Sequence, residues 1–127
     1  MILLDTDVLI DIQRGHPSAV AWIGSQGLSD FKVSGAAAME LLAGSRNSLE
    51  HTRSANFLDR LPIEWLCERD NRLALELVRT YRLSTGLGFA DFLIAAQALN
   101  NEATLFTFNV KHFGSIPRLD VIAPYVR

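Results

Sequence analysis

The stretch ILLDTDVLID, residues 2–11, places three carboxylates directly after a short apolar run. The apolar run predicts a short buried β-strand over residues 1–5, followed by a helix over 7–14 that ends near Gly15. Two interpretations of the acids remain open at this point. Asp5 or Asp7 caps the helix and stabilises its positive end, or the acids hold a cation.

The chain as a whole has the composition of one globular domain spanning residues 1–127, with 49% hydrophobic and 20% charged residues. Its net charge of -2 excludes a strong overall basic field, so contact with nucleic acid would have to be local. Cys67 is the only cysteine, which fits a reducing compartment. Because neither a signal peptide nor an apolar segment of about 20 residues is evident, we expect a cytoplasmic protein that does not enter a membrane.

Strands and helices alternate along the sequence. We expect further helices over 17–26, 35–44, 47–60, 71–82 and 89–99, and further strands over 31–34, 62–66, 103–108 and 119–124. Gly27 is expected to end the second helix, and Asp70 to cap the helix over 71–82. This alternation predicts an α/β domain with a mostly parallel sheet of four to five strands, flanked by helices on both faces. Ligands of such sheets gather at the carboxyl ends of the strands.

Glu40 interrupts the small-residue helix AAAMELLAG, residues 36–44. At 100° per residue, only alanine and glycine lie one turn before and after it on the same face. We expect the bulky Met39, Leu41 and Leu42 to point away from that face into the core. An ordinary solvent-exposed position is the alternative, but Glu40 is the only polar residue on this face.

Two further polar residues stand beside apolar elements. Asp91 is the only charged residue between Arg82 and Glu102, and it lies in the first turn of an apolar helix, where the helix dipole favours its ionised form. Asn109 follows the fourth strand as Asp5 follows the first. Simple helix-start electrostatics for Asp91 and a turn-forming role for Asn109 are the alternatives.

The joint pattern of these residues indicates a metal site. Oxygen ligands without a His/Cys cluster suit Mg²⁺ or Mn²⁺ better than zinc. A bound cation would also relieve the repulsion between clustered carboxylates. One or two such ions can generate hydroxide and stabilise the oxygens of an in-line phosphoryl displacement.

Four motifs together resemble one known family. LLDTDVLID around Asp5, AAAMELLAG around Glu40, STGLGFADFLIAA around Asp91 and TLFTFNVKHF around Asn109 are similar, in this order, to the PIN-domain nucleases, and in particular to VapC-type toxins. The resemblance covers essentially the whole chain. It implies a Mg²⁺- or Mn²⁺-dependent endoribonuclease that cleaves RNA and inhibits translation. It also implies a VapB-type antitoxin partner and assembly as a homodimer or a toxin–antitoxin hetero-oligomer.

The resemblance also assigns roles to the site residues. It implies that Asp5 and Asp91 are direct metal ligands and that Glu40 holds the metal or a water molecule on it. Asn109 occupies the fourth family position, where aspartate is frequent. Because asparagine is neutral, a water-mediated contact is expected there, and the number of metal ions stays open.

Weaker candidates surround these four residues. Asp7 stands where the family more commonly has Asn or Ser, and it either adds charge to the site or caps the helix. Capping is also a sufficient explanation of Asp11. Thr6 and Thr107 are expected to orient the carboxylates by hydrogen bonds.

Local positive charge is available for RNA. Arg46, Arg53 and Arg60 recur every seven residues after the Glu40 helix, and Lys111 follows Asn109. We take Arg46 and Lys111 as candidates for contact with the phosphate backbone. An ordinary solvated helix face explains each arginine equally well.

Two other functions compete with the ribonuclease. The Asp-x-Asp start also fits a small phosphatase of the haloacid-dehalogenase type, but that fold needs a phosphate-binding lysine and a late acidic pair. Only Lys32 and Lys111 are present, and Asp120 is the only acid after residue 105. The other alternative is a non-catalytic binding module in which the acids only cap helices.

Overall fold

The computed structural model describes residues 1–26 and 30–127, and in this part of the chain it contains seven helices and one five-stranded sheet. The elements in chain order are β1 Ile2–Leu4, α1 Thr6–Gln13, α2 Pro17–Gln26, β2 Phe31–Ser34, α3 Gly35–Ala43, α4 Ser48–Leu58, β3 Ile63–Glu64, α5 Glu68–Thr85, α6 Phe89–Asn100, β4 Thr104–Phe106, α7 Val110–Phe113 and β5 Asp120–Ile122. The predicted α/β class and helix-flanked parallel sheet are confirmed.

The sheet is parallel throughout, with the strand order β3-β2-β1-β4-β5. β1 is the central strand, and its Leu4 lies opposite Phe106 of β4. This register brings the residues after the two strands, Asp5 and Thr107, to the same edge of the sheet. The carboxyl edge of the sheet therefore carries the polar residues that follow β1 and β4.

The apolar runs of the sequence form the strands and helices that build the buried core. Leu3 and Leu4 of β1 are fully buried, and so are Phe92 and Ile94 of α6. α6 packs against α5, where Asp70 accepts a hydrogen bond from the Asn100 side chain at 2.8 Å. Although α6 is apolar, no helix in residues 1–26 and 30–127 is long and apolar enough to cross a membrane.

Several boundaries differ from the sequence-based prediction. The fifth helix begins at Glu68 with Cys67 as its N-cap, so the prediction that Asp70 caps it is wrong. Asp70 instead lies in the first turn, and its carboxylate accepts a hydrogen bond from the Cys67 N–H at 3.0 Å. The strand predicted over 62–66 is reduced to two residues, and α7 was not predicted. The expected helix end at Gly27 lies outside the described residues.

Helix α3 also differs from prediction at one of its bulky residues. Leu41 is buried as expected and Leu42 is half-buried, but Met39 is 56% exposed, so its expected place in the core is wrong. The inner face of α3 is formed mainly by small residues, including Ala36 and Ala37. This small face lets α3 approach α1 and α6 closely.

Candidate metal centre

Three carboxylates from distant parts of the sequence converge at the carboxyl edge of the sheet. Asp5 follows the central strand, Glu40 lies on α3, and Asp91 lies in the first turn of α6. One carboxylate oxygen of each lies within 4.8 Å of those of the other two. Asp5 is buried, Asp91 is half-buried and Glu40 is exposed, so the cluster opens to solvent on the Glu40 side.

Asp5 both caps a helix and faces this cluster. Its Oδ1 accepts a hydrogen bond from the Thr6 N–H at 2.8 Å, which makes it the N-cap of α1. Its Oδ2 accepts a hydrogen bond from the Thr107 hydroxyl at 2.7 Å. The two interpretations of the opening motif are therefore compatible for Asp5, because capping occupies one oxygen and fixes the direction of the other.

The other two acids are also held by hydrogen bonds. The Thr6 hydroxyl donates to Oε1 of Glu40, which ties the start of α1 to α3. The Gly88 N–H donates to Oδ2 of Asp91 at 2.9 Å. All three carboxylates thus have fixed orientations, as metal ligands require. The part that Thr6 and Thr107 play in metal binding stays a prediction.

Asp7 does not cap α1, contrary to one of the two interpretations. It lies in the first turn, and its Oδ2 accepts hydrogen bonds from the Phe108 N–H at 2.9 Å and the Thr107 hydroxyl at 3.3 Å. Its Oδ1 is buried without a hydrogen-bond partner in the described part of the chain. Asn109 lies next to this contact, and its N–H donates to the Thr107 hydroxyl oxygen at 3.0 Å.

The electrostatics of the cluster favour a cation. Burial first, and then the nearby charge of Asp7, raise the pKa of Asp5 from 3.8 to about 7, although the hydrogen bonds from Thr107 and Thr6 lower it. Burial also raises the pKa of Asp7 and of Asp91, and the charge of Glu40 adds to the rise at Asp91. Ionising these acids together is unfavourable without a positive partner. An oxygen-only ligand set with this repulsion fits a hard divalent cation.

Comparison with known proteins agrees with this geometry. The family model described as PIN domain matches residues 2–119. The chain belongs to the PIN-domain family. Ribonuclease VapC19 of Mycobacterium tuberculosis is 34% identical to this PIN domain over 128 residues, covering 98% of this chain and 100% of the relative. The resemblance inferred from the four sequence motifs is confirmed.

Solved structures give the same result. This PIN domain resembles a toxin–antitoxin complex from Klebsiella pneumoniae with a TM-score of 0.77 and 26% identity, covering 98% of each chain. It also resembles VapBC2 from Rickettsia felis bound to a DNA fragment from their promoter. The TM-score there is 0.79 and the identity 28%, covering 96% of this chain and 98% of the other. The likeness therefore extends over nearly the whole domain.

The acidic cluster of the PIN domain lies at one end of a cleft with a volume of about 790 Å³. Its lining residues are Asp5, Thr6, Asp7, Ile10, Gln13, Arg14, Glu40, Leu41, Gly44, Ser45, Arg46, Glu50, Arg53, Ser54, Asp91 and Asn109. Of the two RNA-contact candidates, Arg46 lines the cleft, whereas Lys111 lies exposed on α7 and is not among these residues. Arg14 was missed because nothing in the sequence around it indicates a binding site.

Asp11 has a structural environment that the sequence did not indicate. It does not cap α1 but is buried within it, where its carboxylate accepts hydrogen bonds from the Tyr125 hydroxyl at 2.9 Å and from Arg127 Nε and Nη2, each at 3.0 Å. Hydrogen bonding to Arg127 lowers the pKa of Asp11. The Arg127 guanidinium also lies 4.3 Å from the ring centre of Phe108. Asp11 therefore attaches the C-terminal residues to α1 and to the loop after β4.

Proposed function

We propose that this PIN domain is a metal-dependent endoribonuclease that hydrolyses RNA phosphodiester bonds as the toxin of a toxin–antitoxin pair, inhibiting translation. The observation that carries the proposal is the convergence of Asp5, Glu40 and Asp91 within 4.8 Å at the end of an open cleft. The 34% identity to a protein named Ribonuclease VapC19 supports the same reaction. These relatives favour the ribonuclease over both the small phosphatase and the non-catalytic binding module.

Asp5, Glu40 and Asp91 would hold the ion, which we take to be Mg²⁺ or Mn²⁺ because all the available ligands are oxygens. When bound, such an ion acts as a Lewis acid that activates water and offsets negative charge on the phosphate. Asn109, which lines the same cleft, contributes a neutral amide as the fourth catalytic residue. Its neutrality favours a contact through water over direct ligation.

The protein's contribution is to fix the acids before RNA arrives. Asp5 is held on both oxygens, by the Thr6 N–H and by the Thr107 hydroxyl. Glu40 is held through Oε1 by the Thr6 hydroxyl, which leaves its second oxygen for the ion or for a proton from the attacking water. Because Glu40 is the most exposed acid of the cluster, it lies where water and substrate enter. Such preorganisation reduces the reorganisation needed in the transition state.

A VapB-type antitoxin is the proposed protein partner. The similar structures from Klebsiella pneumoniae and Rickettsia felis are described as a toxin–antitoxin complex and as VapBC2. The exposed side chains of Met39 on α3 and Leu49 on α4 offer apolar surface for a hetero-oligomer or a homodimer. We place the activity in the cytoplasm, where RNA and the translation machinery are found.

Cleavage mapping on total RNA tests this function. In the presence of Mg²⁺, we expect the wild type to cut specific sites and EDTA to stop cleavage. Asp5→Ala and Asp91→Ala should each lower the rate by at least about 100-fold, because losing a metal ligand costs more than losing a hydrogen-bonding partner of one. Asp30→Ala is a matched control, since Asp30 precedes β2 at the opposite edge of the sheet. Equal cleavage by all four proteins would contradict the assignment.

A further inference from the structure

Arginines gather in the cleft away from the acidic cluster. Arg14 follows the last residue of α1, Arg46 precedes α4, and Arg53 lies within α4. All three line the same cleft as Asp5 and its neighbours. Among the cleft-lining residues at this end, Glu50 is the only acid. The two ends of the cleft therefore carry opposite charge.

The charges at the basic end do not cancel. Arg46 pairs with Glu50, with Nη2 at 2.7 Å from Oε1 and a second hydrogen bond from Nε at 2.9 Å. The pKa of Glu50 is lowered chiefly by Arg46 and to a smaller extent by Arg14. Neither Arg14 nor Arg53 has an ion-pair partner within residues 1–26 and 30–127. Three arginines and one glutamate leave two positive charges uncompensated.

A contact between α1 and α4 brings these two arginines to the same region. The Gln13 Nε2 donates a hydrogen bond to Ser54 Oγ at 3.1 Å. Arg14 directly follows Gln13 in the chain, and Arg53 directly precedes Ser54. Both flanking arginines also line the cleft. The contact thus places two uncompensated guanidinium groups on the walls of one cleft.

The length of α1 sets the distance from these arginines to the acids. Asp5 is the N-cap of α1 and Arg14 its C-cap. Nine residues at about 1.5 Å each give about 13 Å along the helix axis. At about 3.4 Å per stacked nucleotide, that separation corresponds to about four nucleotides. One RNA strand lying along α1 therefore reaches both ends of the cleft.

We propose that Arg14 and Arg53 form a phosphate-binding subsite that holds the RNA backbone about four nucleotides from the bond that is cleaved. Guanidinium groups bind phosphate oxygens with two parallel hydrogen bonds. Such contacts position the strand without reading its bases. Arg46 is left out of the subsite because Glu50 already occupies its guanidinium. The subsite rests on the proposed ribonuclease function, and both arginines are positioning residues rather than catalytic ones.

The salt dependence of RNA binding tests the subsite. Binding of a fluorescein-labelled oligouridine is followed by anisotropy over a range of KCl concentrations, in an Asp5→Asn background that prevents cleavage. We expect Arg14→Gln and Arg53→Gln each to reduce the slope of log affinity against log salt by about 0.7, the value for one phosphate contact on a single strand. Arg14→Lys and Arg53→Lys should keep most of the slope, because the charge is retained.

Arg69→Gln is the matched control, since it removes the same charge from an exposed position. Arg69 lies next to Asp70, whose side chain contacts Asn100 at the end of α6 opposite to Asp91. The salt slope of Arg69→Gln should equal that of the Asp5→Asn background protein. Circular dichroism checks that every variant is folded, and Arg14→Ala or Arg53→Ala, which also removes the charge, replaces a glutamine variant that is not.

Two results separate this inference from the proposed function. The subsite is refuted if the wild type cleaves RNA but Arg14→Gln and Arg53→Gln show the same salt slope as Arg69→Gln. The two arginines would then be available to contact a protein partner instead. If the slopes fall as expected while the wild type cuts no RNA, the two arginines bind RNA phosphates, but the nuclease assignment fails, and with it the four-nucleotide distance from a cleaved bond. Reduced slopes together with a raised KM at unchanged kcat in otherwise wild-type protein support both.

Discussion

Asp5 and Asp11 are separated by less than two turns of chain, and both are buried, but their surroundings are opposite. Asp11 accepts hydrogen bonds from Arg127 and Tyr125, and Arg127 lowers its pKa. In the described ranges 1–26 and 30–127, the donors to Asp5 are neutral, namely the Thr6 N–H and the Thr107 hydroxyl, and burial raises its pKa to about 7. Within the part of the chain that the structure describes, Asp11 therefore has a cationic side chain as a partner and Asp5 has none.

This difference separates a structural carboxylate from a functional one. An acid buried with its own cation contributes to folding, whereas a group of acids buried without one lowers the stability of the metal-free protein. Proteins keep such unfavourable arrangements mainly where function requires them. The comparison therefore predicts opposite pH dependences. The contribution of Asp5 to the stability of the metal-free protein is lost as the pH rises, and that of Asp11 is lost as the pH falls.

The largest expected effect is on the pH dependence of stability. The pKa of Asp5 is 3.8 in the unfolded chain and about 7 in the folded one, so the metal-free folded state binds an extra proton between these values. Its contribution to stability is complete below about pH 4 and is lost as the pH rises to about 7, a change on the order of 4 kcal/mol. Urea unfolding in EDTA at about pH 5 and pH 8 measures the part of this loss that remains above pH 5, about 3 kcal/mol.

Metal should reverse that loss, because the ion replaces the proton on the acids. Stabilisation by Mn²⁺ is therefore expected to be larger at about pH 8 than at about pH 5. Asp5→Asn should flatten the pH dependence of the metal-free protein, since the amide does not titrate in this range. A variant profile identical to that of the wild type would show that Asp5 is not the acid responsible.

The next largest effect is expected on Mn²⁺ affinity, when the threonine that donates a hydrogen bond to Asp5 is replaced. Thr107→Val removes the hydroxyl at 2.7 Å from Asp5 Oδ2 and should weaken Mn²⁺ binding by about 10- to 100-fold. Thr104→Val is a close control, because the Thr104 hydroxyl donates at the same distance, 2.7 Å, to the carboxylate of Asp120 away from the cluster. Calorimetric titration of both variants measures the difference. Equal affinities would mean that Thr107 does not orient a ligand.

The smallest effect is expected at Asp11. Asp11→Asn should lower the free energy of unfolding by about 1–2 kcal/mol, a value limited by solvent screening because the Arg127 side chain is 47% exposed. Since the folded-state pKa of Asp11 is lowered, this contribution is present above its unfolded pKa and is lost as the pH falls. Urea unfolding at neutral and acidic pH checks both points. If Asp11→Asn lowered the free energy of unfolding more at acidic than at neutral pH, the ion pair between Asp11 and Arg127 would not be the source of this stability.

The sequence was sufficient for the fold and for the choice of candidate acids. Apolar periodicity is a local signal, so it located β1, α2 and β2 within a residue or two of their observed bounds. In a parallel sheet the carboxyl ends of the strands meet at one edge, which explains why Asp5 and Asn109 were expected together. The joint pattern of the acids indicated a metal site, whereas the particular roles of Glu40 and Asp91 in it came from the family resemblance and stay predictions.

The parts that the sequence did not predict depend on distant contacts. The partners of Asp11 are 114 and 116 residues away along the chain, so capping appeared sufficient to explain it. Asp70 is a favourable cap residue by type, but it lies in the first turn of α5, where its carboxylate accepts a hydrogen bond from the Cys67 N–H. Likewise, only the ion pair between Arg46 and Glu50 reveals which arginines of the cleft keep uncompensated charge.

The most direct test of the account is a calorimetric titration of Mn²⁺ into three metal-free proteins: the wild type, Asp11→Asn and Asp5→Asn. We predict that the wild type and Asp11→Asn bind the ion with the same affinity, and that Asp5→Asn binds it at least about 100-fold more weakly, because one ligand of the cluster is lost. Binding by Asp5→Asn as tight as by the wild type, or no binding by the wild type, would contradict the claim that these acids hold a metal ion.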